Sequence, residues 1–128
     1  MRFNYFTATM IFAGLWAGWH VPLFFIKGYY QNEIATQNLW FAVNFMVSVI
    51  PLAFIISWLC RWNRGSIPVA IGFHFFVNIC QEALQVTQVT KCIETLVLVL
   101  VAVIVVSLNH EMFFQKEPAL VAQLEISQ

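Results

Sequence analysis

Three observations predict an all-α, polytopic membrane protein with about four transmembrane helices. Of the 128 residues, 61% are hydrophobic and only 9% are charged, whereas an ordinary soluble domain is about one quarter charged. Mean hydropathy is +0.79. The apolar residues also gather into four runs, 3–26, 38–60, 66–85 and 92–108, each near the ~20 residues needed to cross a bilayer core.

The first run begins after a single Arg2 and continues through "WHVPLFF". A secretory signal has a shorter core and a small-residue cleavage site, so the run reads as a retained transmembrane helix. Gly14 and Gly18 form a G-x-x-x-G step, a spacing that lets membrane helices approach closely. Pro22 has no N–H for the carbonyl of Gly18, which predicts a kink just beyond His20. Pro51 predicts a similar kink in the second run, where Asn44, Ser48 and Pro51 share one face. In the third run Ser66 stands at an N-cap position and Pro68 in the first helical turn. The fourth run, "LVLVLVAVIVV" at 96–106, shows no polar face and reads as lipid-facing scaffold. Residues 1–110 therefore read as one membrane domain and 111–128 as a short polar C-terminal tail, with "MFF" at 112–114 resting at the interface.

Charge narrows the function. The formal net charge is zero and the six Lys and Arg are dispersed, so the basic patch of a nucleic-acid-binding protein is missing. Cys60, Cys80 and Cys92 have no zinc-type spacing. The N-terminus, the loop after the second run and the tail hold Arg2, Arg61, Arg64 and Lys116, against Lys27 and Lys91 on the other side. The positive-inside rule then places both termini in the cytoplasm.

The polar residues inside the apolar runs point to chemistry. His74 and Asn78 lie four apart, on one helical face, and ionisable groups within a membrane helix usually face the bundle interior or a wet cavity. Hydrogen bonding between helices is the bland reading of this pair. The first and third runs cross in the same direction. At ~1.5 Å per residue, His20 lies ~20–25 Å from the start of its run, and His74 and Asn78 lie ~12 and ~18 Å from the start of theirs. The three side chains are thus expected to meet near mid-membrane, offering proton transfer and hydrogen bonds to a developing oxyanion. His20 and His74 are also the candidate ligands for a divalent metal such as zinc, although a catalytic zinc normally has three protein ligands. The chain has no Asp. Glu82 continues the His74–Asn78 stripe but lies ~12 Å from His74 along the helix axis, so it reads as interfacial. Trp16, one turn before His20, is a candidate pocket wall. Trp19, Trp40, Trp58 and Trp62 suit an interfacial belt, and His110 reads as an ordinary solvated histidine.

At these residues the sequence resembles a known family. "WAGWHVPLFF" (16–25) is similar to the second motif of the CPBP family of CAAX proteases and bacteriocin-processing enzymes, and "RGSIPVAIGFHFFVN" (64–78) is similar to its third. The resemblance covers about residues 3–85. It implies an intramembrane endopeptidase in which His20 helps position or activate a water, while His74 and Asn78 stabilise the tetrahedral oxyanion. Members are often described as metalloproteases, and a water activated by glutamate without tight metal ligation has also been argued. The family's first motif, a Glu-Glu pair followed four residues later by Arg, supplies the general base, and this chain has no Glu-Glu pair. The resemblance therefore implies the C-terminal part of a protease domain, inactive by itself, in a bacterial cell membrane. Its expected partners are the lipid bilayer, a peptide or prenylated-protein substrate, and either more N-terminal chain or a separate subunit carrying the Glu-Glu helix. The alternative is a non-catalytic membrane protein such as a bacteriocin-immunity factor.

Overall fold

The computed structural model describes residues 3–115. They form α1 (Tyr5–His20), a 3₁₀ turn (Val21–Phe25), α2 (Tyr30–Gln37), α3 (Leu39–Trp62), α4 (Ile67–Ala83), α5 (Gln88–Leu108) and α6 (His110–Phe114). Among the described residues there is no strand. The spans Tyr5–Phe25, Leu39–Trp62 and Gln88–Leu108 are long and apolar enough to cross a membrane, while α4, at 17 residues, is shorter. At ~1.5 Å per residue α4 covers ~25 Å. The protein is an all-α, polytopic integral membrane protein. Arg2 and Lys116, two of the four charges used to orient it, lie outside the described residues.

Local chemistry sets the helix boundaries. Asn4, Asn38 and Thr87 accept hydrogen bonds from the backbone N–H groups of Thr7, Trp40 and Thr90, satisfying first-turn donors that have no partner within the helix. Ser66 occupies the N-cap of α4 with Pro in its first turn, although its hydroxyl makes no capping bond. Arg64 and Gln85 adopt left-handed backbone (φ 56° and 47°) just beyond α3 and α4. Gly65 then donates to Cys60 and Val86 to Gln81, the six-to-one bond of a Schellman ending. These endings turn the chain sharply, and the second delivers the start of α5 beside the end of α4.

The two prolines behave differently. At Pro22 the α-helix stops, and the Val21 N–H takes the Gly18 carbonyl in a tighter turn. At Pro51 α3 continues as one helix of 24 residues. Pro51 is buried beside Ala53, Phe54, Ile55 and Ile56, so packing holds that helix together through the missing hydrogen bond, whereas Val21 and Pro22 are exposed and nothing opposes the break.

α3 is the hub, packing on α5, α1, α2 and α4. Its core cluster combines Phe54 and Ile55 with Ala102 and Val105 of α5 and Phe113 of α6. Phe113 is fully buried, within 5.8 Å (ring centroids) of both Tyr5 and Phe54. The "MFF" run is thus divided, with Phe113 in the core and Phe114 stacked on Phe6 at the exposed edge. The Tyr5 hydroxyl donates to the Ser57 carbonyl, and the Arg61 guanidinium lies 5.8 Å from the Tyr5 ring. The start of α1 and the end of α3 therefore share one end of the bundle. Trp19, Trp40 and Trp62 are exposed as a belt requires, whereas Trp58 packs against the core.

Two sequence expectations are corrected. A side chain built at Gly14 or Gly18 would meet nothing within 4 Å, so this step brings no helix of the described chain close. α1 instead buries Thr9 and Ala13, another small-x-x-x-small pair turned round the helix. The fourth run is also more than lipid-facing scaffold. Its helix begins at Gln88, so Gln88, Lys91, Glu94 and Thr95 form a polar face on its first two turns.

Candidate functional site

α1 and α4 both flank α3, leaving between them a cavity of about 380 Å³. His20, His74 and Asn78 all line it, together with Trp16, Asn44 and Ser48. The convergence expected from helix direction and depth is therefore present. Pro51, on the same face of α3 by spacing, is buried instead and does not line the cavity.

Hydrogen bonds define the two imidazoles. Nδ1 of His20 lies 2.8 Å from the carbonyl oxygen of Trp16. A carbonyl only accepts, so this nitrogen carries a proton, and in the neutral ring Nε2 keeps its lone pair. The cause is local. The residue is the last of α1, and the Trp16 carbonyl one turn back lies within reach of its ring. Nε2 of His74 is 3.1 Å from the Asn78 amide nitrogen. With the amide donating, Nε2 accepts and the ring proton sits on Nδ1, which is buried without a partner among the described residues. The second N–H of Asn78 is then free to donate, and Asn78 is exposed to the cavity.

Aromatic rings set the spacing. The Trp16 indole meets the His74 ring edge-on at 5.1 Å and lies 6.4 Å from the His20 ring. Phe45 of α3 closes on His20 at 5.1 Å. Trp16 thus touches both histidines, a wall with two contacts.

No family model matches the chain. Among curated proteins it is 46% identical over 115 residues to the "CAAX prenyl protease 2" of Methanococcus maripaludis. The match takes in 90% of this chain and 42% of that relative. Over this match the chain is similar to a CAAX prenyl protease, in line with the resemblance carried by residues 16–25 and 64–78. It spans less than half the length of the relative, and the Glu-Glu pair of the family's first motif is not within these 128 residues.

The metal associated with many CPBP proteins can be tested against the donors present. Among the described residues no group of three or more His, Cys or Glu side chains is placed to hold a metal ion. His20 and His74 supply two donors where a catalytic zinc takes three, so these residues alone do not compose a zinc site.

The other end of the cavity was not foreseen from sequence. Tyr30 and Gln31 of α2, Gln81 and Glu82 of α4, and Gln88, Lys91, Glu94 and Thr95 of α5 line it. Glu82 is exposed, in keeping with an interfacial residue that also borders the cavity. The signal that could have revealed the α5 residues is their 3–4 spacing, Lys91–Glu94–Thr95–Leu98, lost when the run is started at Cys92.

Proposed function

We propose that these residues form the histidine–asparagine side of a CAAX-type intramembrane endopeptidase site, which hydrolyses a peptide bond with an activated water. The observation that carries this reading is the meeting of His20, His74 and Asn78 in one cavity of a chain 46% identical to a CAAX prenyl protease. In this reading His20 accepts a hydrogen bond from the attacking water through Nε2, its ring fixed by the Trp16 carbonyl. Asn78 donates its free N–H to the oxyanion as the carbonyl becomes tetrahedral. His74 orients that amide from behind. Trp16 and Phe45 keep bulk water from the reacting atoms.

The general base is the part these residues lack, a term worth about 10²–10⁴-fold. A carboxylate from the Glu-Glu helix must therefore reach the His20 side of the cavity before cleavage occurs. The test joins this chain to the part of the M. maripaludis relative that lies outside the match and assays a prenylated C-terminal peptide. The joined protein is expected to cleave, and His20→Ala or His74→Ala to abolish cleavage. Unchanged cleavage in both variants, or an inert fusion beside an active intact relative, overturns the reading.

A further inference from the structure

Among the described residues, Lys91 is the only Lys or Arg that lines the cavity. Its placement is specific. The ammonium lies 4.4 Å from the Tyr30 ring centroid and donates to the Tyr30 hydroxyl at 3.0 Å, which in turn donates to Gln88 Oε1 at 3.0 Å. The nearest acidic residue along α5 is Glu94, and its carboxylate is taken by the Gln81 amide at 2.9 Å. Among the described residues Lys91 has no carboxylate partner. An ammonium has three N–H donors and one is used, so Lys91 is a half-buried cation held against an aromatic ring with donors to spare.

The position of Lys91 relative to the histidine matters. Tyr30 contacts Phe45 at 6.0 Å between ring centroids, and Phe45 contacts His20 at 5.1 Å. Lys91, Tyr30, Phe45 and His20 thus follow one another along one wall of the cavity. A C-a-a-X substrate ends in a free carboxylate three residues beyond its prenylated cysteine, and three extended residues span about 10 Å. A substrate whose scissile carbonyl sits at His20 and Asn78 would place its chain end along this wall, where Lys91 stands.

We propose that Lys91, held over Tyr30, binds the free C-terminal carboxylate of the substrate, so that the site recognises chain ends and not internal peptide. This rests on the endopeptidase reading above and names the substrate feature that the site selects. A charge-assisted hydrogen bond of this kind needs a full negative charge on the ligand, which a C-terminal amide lacks.

The experiment compares a farnesylated C-a-a-X tetrapeptide as free acid and as C-terminal amide. Binding to the protein in lipid nanodiscs is measured with empty nanodiscs subtracted. The acid is expected to bind about tenfold more tightly than the amide. Lys91→Gln should erase that preference by weakening the acid alone, Lys91→Arg should retain most of it, and Tyr30→Phe should reduce it. Unchanged amide binding in Lys91→Gln shows that the variant is folded. Equal binding of acid and amide to the wild type overturns the Lys91 proposal and leaves the endopeptidase reading standing. Equal loss of both ligands in Lys91→Gln makes the residue structural and also overturns it. Binding of neither peptide by the wild type removes the C-a-a-X substrate itself, and the proposal with it.

Discussion

α3 and α4 are neighbours in sequence and opposites in packing. α3 buries seven residues, Ala42, Val49, Pro51, Ala53, Phe54, Ile55 and Ile56, whereas α4 buries none. Yet α4 carries His74 and Asn78. Its Ile71, Phe75 and Phe76 are each about two-thirds exposed, and lipid covers such surface as readily as protein does. The helix with the chemical side chains is thus held by few protein contacts, and the helix with few chemical side chains carries the core. The buried core and the candidate His74–Asn78 pair reside on different helices, so substitutions should separate the two.

The largest effect on stability is expected in the α3 core. Phe113→Ala removes a fully buried ring wedged against Phe54 and Tyr5 and should cost ~3–5 kcal/mol, read by denaturant unfolding in detergent micelles. A cost below ~1 kcal/mol would mean that α6 is not part of the core. On α4 the order reverses. In the joined protein described above, His74→Ala should abolish peptidase activity, yet unfold within ~0.5 kcal/mol of wild type, because the ring is only half-buried and its side-chain hydrogen bond is to the exposed Asn78. A loss of stability comparable to that of Phe113→Ala would break the contrast between the helices. The smallest effect belongs to Phe76→Ala, at 64% exposure. Its unfolding in detergent should lie within ~0.5 kcal/mol of wild type. A strong destabilisation there would identify a protein neighbour on this face of α4.

Much of the site was legible before the fold. A histidine inside "GLWAGWHVPLFF" and a His–Asn pair one helical turn apart are conspicuous because polar groups are costly in a membrane helix. Helix direction and rise then sufficed to bring all three to one level. The polar end of the cavity was not legible in the same way. Tyr30 lies on an eight-residue helix whose apolar signal is weak, anchored by the burial of Ile34 alone. Lys91 and Glu94 sit at a helix start that hydropathy draws four residues too late. Gly14 and Gly18 misled for the converse reason. A small-residue step permits close approach without specifying which face is used, and packing chose Thr9 and Ala13.

What the sequence determined by itself was the class and the ingredients. Apolar runs of membrane length, caps at Asn4, Asn38 and Thr87, and a proline just after His20 follow from local chemistry, since each depends on residues within one turn. Tertiary structure alone decided which polar groups face one another: Tyr30 beneath Lys91 across 61 residues, Gln81 on Glu94, and Trp16 between two histidines. Those pairings depend on how α1, α4 and α5 pack around α3, and a contact between distant segments leaves no periodicity in either of them. The same dependence explains the two prolines. Both lack the same N–H, and only the buried one, inside the packed hub, keeps its helix intact.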